Sequence, residues 1–219
     1  MLKFHCSKEG ARLVRLIIIG AGGHGRVVAD VAREAGMTPC AFVDCDPPAE
    51  TVDGLPVFVS FEEAVTQCAP DGATPAFISA IGDNHNRAKE YERALAAGLE
   101  PAQVIHPTAT ISDSATIGPG VFVGPQAVVN TAARIGKNAI INTAAVVEHD
   151  CTVGAHAFVA PGAVLCGASS VGDYSFVSAG AVIIPLVSVG SNALVAAGAV
   201  VTNNYPNNVR LFGIPAKAR

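Results

Sequence analysis
The chain has no tryptophan and only 2 methionines, and aromatic residues make up 5% of its 219 positions. Charge is equally thin: Asp, Glu, Lys and Arg together reach 15%, with a net charge of −4. That balance excludes the basic stripe of a nucleic-acid-binding surface and a polybasic face for an anionic membrane. No apolar run approaches the ~18 residues of a membrane span. The opening MLKFHCSKEGARLVR lacks the apolar stretch of a secretory signal and reads as extra sequence of no importance to the fold. The 6 cysteines (Cys6, Cys40, Cys45, Cys68, Cys151 and Cys166) include no C-x-x-C pair. They read as small thiols in a reducing cytoplasm rather than as disulfides or a zinc site. A cytoplasmic protein of one large or two modest domains is the expectation.

What the chain does have is a six-residue period. From Ile105 to Pro206 an aliphatic residue opens each of 17 successive hexads, among them Val123, Ile141, Val147, Leu165 and Val201. The fifth position is small almost throughout, as at Ala127, Ala145 and Ala163. Position three carries Pro107, Pro119, Pro125, Pro161 and Pro185, and position four Gly120, Gly162, Gly180 and Gly198. Six fits neither a helix nor an ordinary alternating sheet; it marks a parallel β-helix. Proline presets φ and glycine admits positive φ, so each hexad is a short strand followed by a corner. Three hexads per coil make a triangular prism of five to six coils about 4.8 Å apart, about 27 Å long.

Residues 13–104 read differently, as an α/β domain. A buried strand at Leu16–Ile19 runs into Gly20-Ala21-Gly22-Gly23-His24-Gly25 and a helix over Arg26–Ala35. Further strands are expected at Cys40–Val43, Val57–Val59 and Ala76–Ile81, and a second helix at Asn86–Ala97. The glycine run satisfies G-x-G-x-x-G between strand and helix, where bare backbone amides meet a phosphate at a helix N-terminus. Asp44 stands at the end of the strand that follows, where an acid reaches a ribose hydroxyl or a base. The segment is long enough for only half of a dinucleotide fold, so a single nucleotide carrying another group on its phosphates is expected rather than NAD. The bland alternative is a glycine turn that only packs helix on strand. His24 within the loop is placed to touch the pyrophosphate or sugar.

Only 6 charged side chains occur in the repeat: Asp113, Arg134, Lys137, Glu148, Asp150 and Asp173. So bare a prism is expected to be buried against copies of itself, as a cyclic trimer. Two of the six flank a histidine, in Glu148-His149-Asp150. His149 and Asp150 occupy the corner positions and point outward, and a coil of three hexads stacks Gly167 on His149. A histidine base, a carboxylate to orient its ring and an exposed amide for an oxyanion are what acyl transfer requires. Either Glu148 or Asp150 is placed to orient the ring, Asp150 being favoured. The alternative is a corner histidine that hydrogen-bonds within a trimer. A zinc site shared by His106, His149 and His156 is disfavoured: His149 and His156 lie on different corners and His106 is more than two coils away. No metal is expected.

The ordered set Ile19-Gly20-Ala21-Gly22-Gly23-His24-Gly25, Phe42-Val43-Asp44-Cys45-Asp46-Pro47, Ile81-Gly82-Asp83-Asn84, Ile141-Asn142-Thr143, Val147-Glu148-His149-Asp150-Cys151 and Gly213-Ile214-Pro215-Ala216-Lys217 resembles the hexapeptide-repeat sugar acetyltransferases. The bacillosamine and perosamine N-acetyltransferases and the sialic-acid O-acetyltransferases belong to that family. The resemblance implies a half-Rossmann domain (13–104), a left-handed β-helix (105–206) and a C-terminal tail (207–219). It implies a homotrimer in which acetyl-CoA lies between subunits, and a UDP- or GDP-linked amino-deoxy sugar, destined for bacterial surface glycans, held by the first domain. By that match His149 is the base, Asp150 its partner, Asn142 an active-site asparagine and Gly167 the amide donor. Gly20, Gly22, Gly23, His24, Gly25, Asp44, Asp46 and Asp83 fall on the sugar-nucleotide side, and His156, Gly167 and Lys217 on the acetyl-CoA side. Relatives often read His-x-His where this chain has His156-Ala157-Phe158. N-acetylation of a 4-amino group is the leading expectation; O-acetylation of a sialic-acid-like sugar and a non-catalytic trimeric scaffold are the alternatives.

Overall fold
A computed structural model describes residues 14–69 and 72–219. Leu13 and Cys6 lie outside the described residues. The first domain is a sheet of six strands in the order β3-β4-β2-β1-β5-β6, made of β1 (Arg15–Ile19), β2 (Thr38–Val43), β3 (Thr51–Val52), β4 (Leu55–Phe58), β5 (Ala76–Ser79) and β6 (Glu100–Pro101). The pairs β1–β2, β1–β5, β2–β4 and β5–β6 are parallel, and only the short β3–β4 ribbon is antiparallel. Leu16, Ile17 and Ile18 are fully buried, as an all-apolar strand covered on both faces must be. Helices α1 (Gly23–Glu34), α2 (Phe61–Cys68) and α3 (Asn84–Ala96) cover the sheet.

Helix α2 and strands β3 and β6 extend the elements read from the sequence. The overlooked signal for α2 is Ser60-Phe61-Glu62-Glu63, a serine cap with acids in the first turn; Ser60 Oγ accepts from the Glu63 amide at 3.3 Å. This helix also corrects the thiol expectation. Cys68 at its end and Cys40 on β2 have Cα atoms 5.6 Å apart and are joined as a disulfide. Cys45, Cys151 and Cys166 are free.

The second domain is a left-handed β-helix of two-residue strands. Its first wall stacks Val104–Ile105, Phe122–Val123, Ile140–Ile141, Phe158–Val159, Phe176–Val177 and Leu194–Val195. Arg210–Phe212 and then the antiparallel Lys217–Ala218 continue that wall. The second wall runs from Thr110–Ile111 to Val200–Val201 and the third from Thr116–Ile117 to Ser188–Val189. Within the repeat, paired residues such as Phe122 with Ile140 and Val147 with Leu165 stand three hexads apart, so three hexads make one coil. The opening aliphatics fill the interior and the small fifth residues pack where the walls converge; Val123, Ile141, Val147, Ala127 and Ala145 are all fully buried. Each such aliphatic contributes about 1.5–3 kcal/mol of burial.

The corners follow one rule. Position four has positive φ not only at Gly120, Gly162, Gly180 and Gly198 but also at Ala132, Asn138, Asp150, His156, Tyr174 and Leu186. Its amide donates to the position-three carbonyl of the preceding coil, as Asp150 does to Thr131 at 2.9 Å and Ala168 to His149 at 2.8 Å. The position-three amide lies outside this ladder, which is why proline is tolerated there. The third corner is tighter. A Cβ added to Gly136 or Gly172 at position two would stand 2.5 Å from an amide of the next coil. Glycine is needed at these two positions for close approach and not for its dihedral freedom.

The first domain docks on the first wall. Leu16, Ile18, Val28, Val31 and Phe42 form one apolar cluster with Phe122, Ile140 and Phe158, whose side chains face out of the prism. Polar contacts at the edges add to this seat: Glu34 meets His106 Nε2 at 2.9 Å and Glu92 meets Lys137 Nζ at 2.7 Å.

Candidate active site
His149 stands exposed at the corner between the second and third walls, opposite the wall that carries the first domain. Its Nδ1 is 2.9 Å from Asp150 Oδ2. An ionised carboxylate only accepts, so Nδ1–H donates to Asp150 and leaves Nε2 with its lone pair outward. The positive φ of 61° at Asp150 turns that side chain back toward the ring. Glu148 is engaged elsewhere: its Oε2 accepts from the His149 amide at 3.2 Å and from Asn130 Nδ2 at 3.1 Å. Glu148 therefore braces the backbone, and Asp150 is the carboxylate that meets the imidazole.

Gly167 lies directly above the ring. A Cβ built on it would be 2.5 Å from His149 Nε2 and 2.7 Å from Cε1. Its amide is at position three and so is free of the coil ladder. At Thr131, Thr143 and His149 the preceding Asn or Glu side chain takes up the equivalent N–H. Cys166 precedes Gly167, and among the described residues no side chain takes this one. The imidazole and a glycine whose N–H no side chain takes are thus neighbours at the prism edge.

Asn142 does not join them within one chain. It sits at the corner between the first and second walls, its Oδ1 accepting from the Thr143 amide at 2.8 Å. Lys217 is exposed on the terminal strand pair. His156 is 3% exposed and faces the first domain, stacked on Tyr174 at 5.0 Å with Nδ1 3.0 Å from Asn138. The expectation that it meets a cofactor is corrected: position four of that corner is roofed by α3.

The glycine loop is built as a turn that opens at a helix end. Gly20 has φ 103° and donates to Val43 O at 2.8 Å; a Cβ there would press Ala80 O and Ile81 Cγ1 at 3.1 Å. A Cβ on Gly25 would run into Gly20 O, so this glycine allows helix and loop to touch. Around Gly22 and Gly23 there is open space within 4 Å. Gly22 caps α1 without a side-chain acceptor and no acid occupies the first turn. By contrast, Ser60 caps α2 and Asp83 caps α3. The N-terminus of α1 is left able to receive an anion.

Asp44 acts first as a brace. Its Oδ2 accepts from the Ala21 amide at 2.8 Å and its Oδ1 from the Asp46 amide at 3.0 Å. Each oxygen retains acceptor capacity, and Asp44 lines a cleft with Gly20, Val59, Ile81, Glu90 and Arg93. Glu90 and Arg93 are not legible in the sequence as cleft residues, because only the tertiary fold brings α3 to the end of β2. Asp46 is exposed outside this lining, and Asp83, also exposed, caps α3, its Oδ1 accepting from Asn86 N at 2.8 Å. His24 is turned toward the prism. Its ring lies between the domains, 5.2 Å from Phe122 and 6.0 Å from Phe158, with Nε2 buried. Among the described residues no three His, Cys, Asp or Glu side chains cluster as a metal centre, and no helix is long and apolar enough to cross a membrane.

The buried histidines predict acid lability. Desolvation, reinforced by Arg87, lowers the pKa of His24 to about 4, and desolvation with Lys137 and Arg87 does the same to His156. In the unfolded chain both titrate near 6.5. Between these values the unfolded state binds more protons, so stability drops as pH falls through that window and is independent of these groups above it. The urea midpoint should be level from pH 8 to 7 and decline from 6.5 to 4, less steeply for His24→Phe. A level midpoint throughout would contradict the burial argument.

Comparison with known proteins places this geometry. The PglD N-terminal domain family matches residues 15–94 and the bacterial transferase hexapeptide family residues 132–167. A mutant perosamine N-acetyltransferase from Caulobacter crescentus, solved with CoA and GDP-perosamine, is 38% identical. It superposes with a TM-score of 0.88 over 95% of this chain and 98% of its own. The acetyltransferase domain of PglB from Neisseria gonorrhoeae FA1090, solved with acetyl coenzyme A, is 35% identical with a TM-score of 0.85 over 95% and 100%. UDP-N-acetylbacillosamine N-acetyltransferase of Bacillus subtilis (strain 168) is 34% identical over 103 residues, 47% of this chain and 48% of that protein, about half its length. With matching folds along nearly their whole lengths, the chain belongs to the family of hexapeptide-repeat sugar N-acetyltransferases that includes the perosamine enzyme.

Proposed function
We propose that the protein transfers the acetyl group of acetyl-CoA to the 4-amino group of a nucleotide-linked amino-deoxy sugar. The observation that carries this is the seat of His149 Nε2, freed by the Asp150 bond, against Gly167, whose amide no side chain takes. In the proposed step the sugar nitrogen attacks the thioester carbonyl while His149 Nε2 removes its proton. Gly167 N–H donates to the oxyanion, and collapse expels the thiolate of CoA, which takes up the proton held by His149. The sugar nucleotide rests with its phosphates at the N-terminus of α1 and its nucleoside in the Asp44–Arg93 cleft. Relatives carrying GDP-perosamine or named for a UDP-linked sugar support this acceptor class.

The working unit we propose is a homotrimer. The first domain sits on the wall opposite His149, so the cleft of one chain must serve the histidine of another. The second wall presents a column of half-buried valines, Val128, Val146, Val164, Val182 and Val200, and Leu186 at its corner is 76% exposed. Such a face is suited to cover by a copy, and the same packing would bring the Asn142 corner of one chain toward His149 of its neighbour. The cytoplasm, where the acetyl-CoA pool stands, is the proposed location, and the Cys40–Cys68 disulfide would persist there because Cys68 is buried from reductants.

The test is release of free thiol from acetyl-CoA with a panel of GDP- and UDP-linked 4-amino sugars and free sialic acid. Release with one amino sugar is the expected result and names the nucleotide. Release only with sialic acid would replace this reading by O-acetylation, and no release with any acceptor would leave a binding scaffold.

A further inference from the structure
We infer that Arg87 is a positioning residue for the transfer, setting where the nucleotide cleft stands relative to the prism. The inference rests on the reading of that cleft as the sugar-nucleotide site. Arg87 on α3 is fully buried, yet its fork is satisfied almost wholly by carbonyls. Nη1 donates to Ile81 O at 2.9 Å, Nη2 to His156 O and Asn84 Oδ1 at 2.7 Å each, and Nε to Asn138 O at 3.2 Å. Asn84 continues the seam, its Nδ2 donating to Tyr174 O at 2.8 Å and Ser175 O at 3.1 Å. Asn138, His156 and Tyr174 are position four of three consecutive coils, so one seam spans three coils of the third corner. Its other end is Ile81, whose side chain backs Gly20 and lines the cleft.

The energetics argue for placement rather than adhesion. Removing a guanidinium from water with no carboxylate in hydrogen-bond contact is costly even with Asp83 nearby, and an apolar contact such as Phe122 and Phe158 already provide would join the domains without it. Burial lowers the pKa of this group only to about 10, so it keeps its charge and all five donors at neutral pH. A planar fork with directed donors fixes an angle as well as a distance, which a greasy seat does not. Transfer needs that: a displacement of about 1 Å at the reacting atoms costs about 10²-fold in rate.

Arg87→Lys keeps the charge but has no fork to span loop and prism together. In the full-length protein its kcat with the accepted sugar nucleotide should fall about 30- to 100-fold. The Kd values of CoA and of the nucleoside diphosphate, by titration calorimetry, should stay within about two-fold, since each half-site is intact. Asn84→Ala, which leaves the carbonyl contacts of Arg87 in place, should show the same split at about a third of that effect. It carries the test if the lysine variant does not fold. Unchanged kcat in the folded variants would overturn the role, as would a nucleotide affinity that falls in step with kcat/KM, which would make Arg87 part of the cleft. The native chain is the control: if it transfers to no sugar, the acetyltransferase reading fails and this inference with it.

Discussion
Replacing His149 by alanine is expected to lower kcat by about 10²–10⁴, the range for loss of a general base. The side chain is exposed at a prism corner and its removal leaves no buried partner unpaired, so the melting temperature should hardly move. KM for acetyl-CoA should change little, because in the proposed step the imidazole acts on the acceptor proton. Initial rates with the sugar identified by the acceptor panel, alongside a thermal scan, check this. Near-native kcat in a folded His149→Ala protein would eliminate this histidine as the base. Asp150→Asn should also lower kcat, since the carboxamide NH2 can donate to Nδ1 and so favours the tautomer whose proton sits on Nε2.

Gly167→Ala should be nearly as damaging, although it adds only one carbon. That carbon would meet His149 Nε2 at 2.5 Å and Cε1 at 2.7 Å, far inside van der Waals contact. The ring on an open corner must swing away, so the imidazole leaves the position from which the proposed step uses it. A fall of about 10²–10³ in kcat is expected. Because the two residues act as a unit, the double variant should be scarcely worse than His149→Ala alone. Additive losses would mean that Gly167 contributes independently of the imidazole. Full activity in Gly167→Ala would show that the ring is not held over the glycine during turnover.

The repeat is the most legible part of the fold. A period of six with aliphatic, small, Pro and Gly positions admits one packing, and counting three hexads per coil is enough to put Gly167 over His149. Both are local properties of a quasi-one-dimensional structure, in which each coil touches only its neighbours. The first domain is legible in outline and misleading in detail. Its glycine loop lies between β1 and α1 as expected, but nothing local shows that the His24 ring packs against Phe122 and Phe158. Nor does the motif show that Asp83 caps α3. The same letters serve caps and ligands, and only the neighbours distinguish them. The cysteines mislead for a related cause: without α2 in view, nothing brings Cys68 to Cys40.

The sequence by itself determined the prism, its coil length, its outward corners and the pairing of His149 with Gly167, since hydrophobic period and corner chemistry act over a few residues. The tertiary structure alone decided where the first domain sits, and through that the burial of His156 and of His24 Nε2, the amides that Asp44 accepts in its own loop and the cleft lined by Glu90 and Arg93. These depend on the apolar match between the first wall and the sheet domain, and on a buried guanidinium at position 87 that ties residues 51 to 69 positions apart in the chain. No local pattern encodes such contacts, because each partner is an ordinary backbone carbonyl.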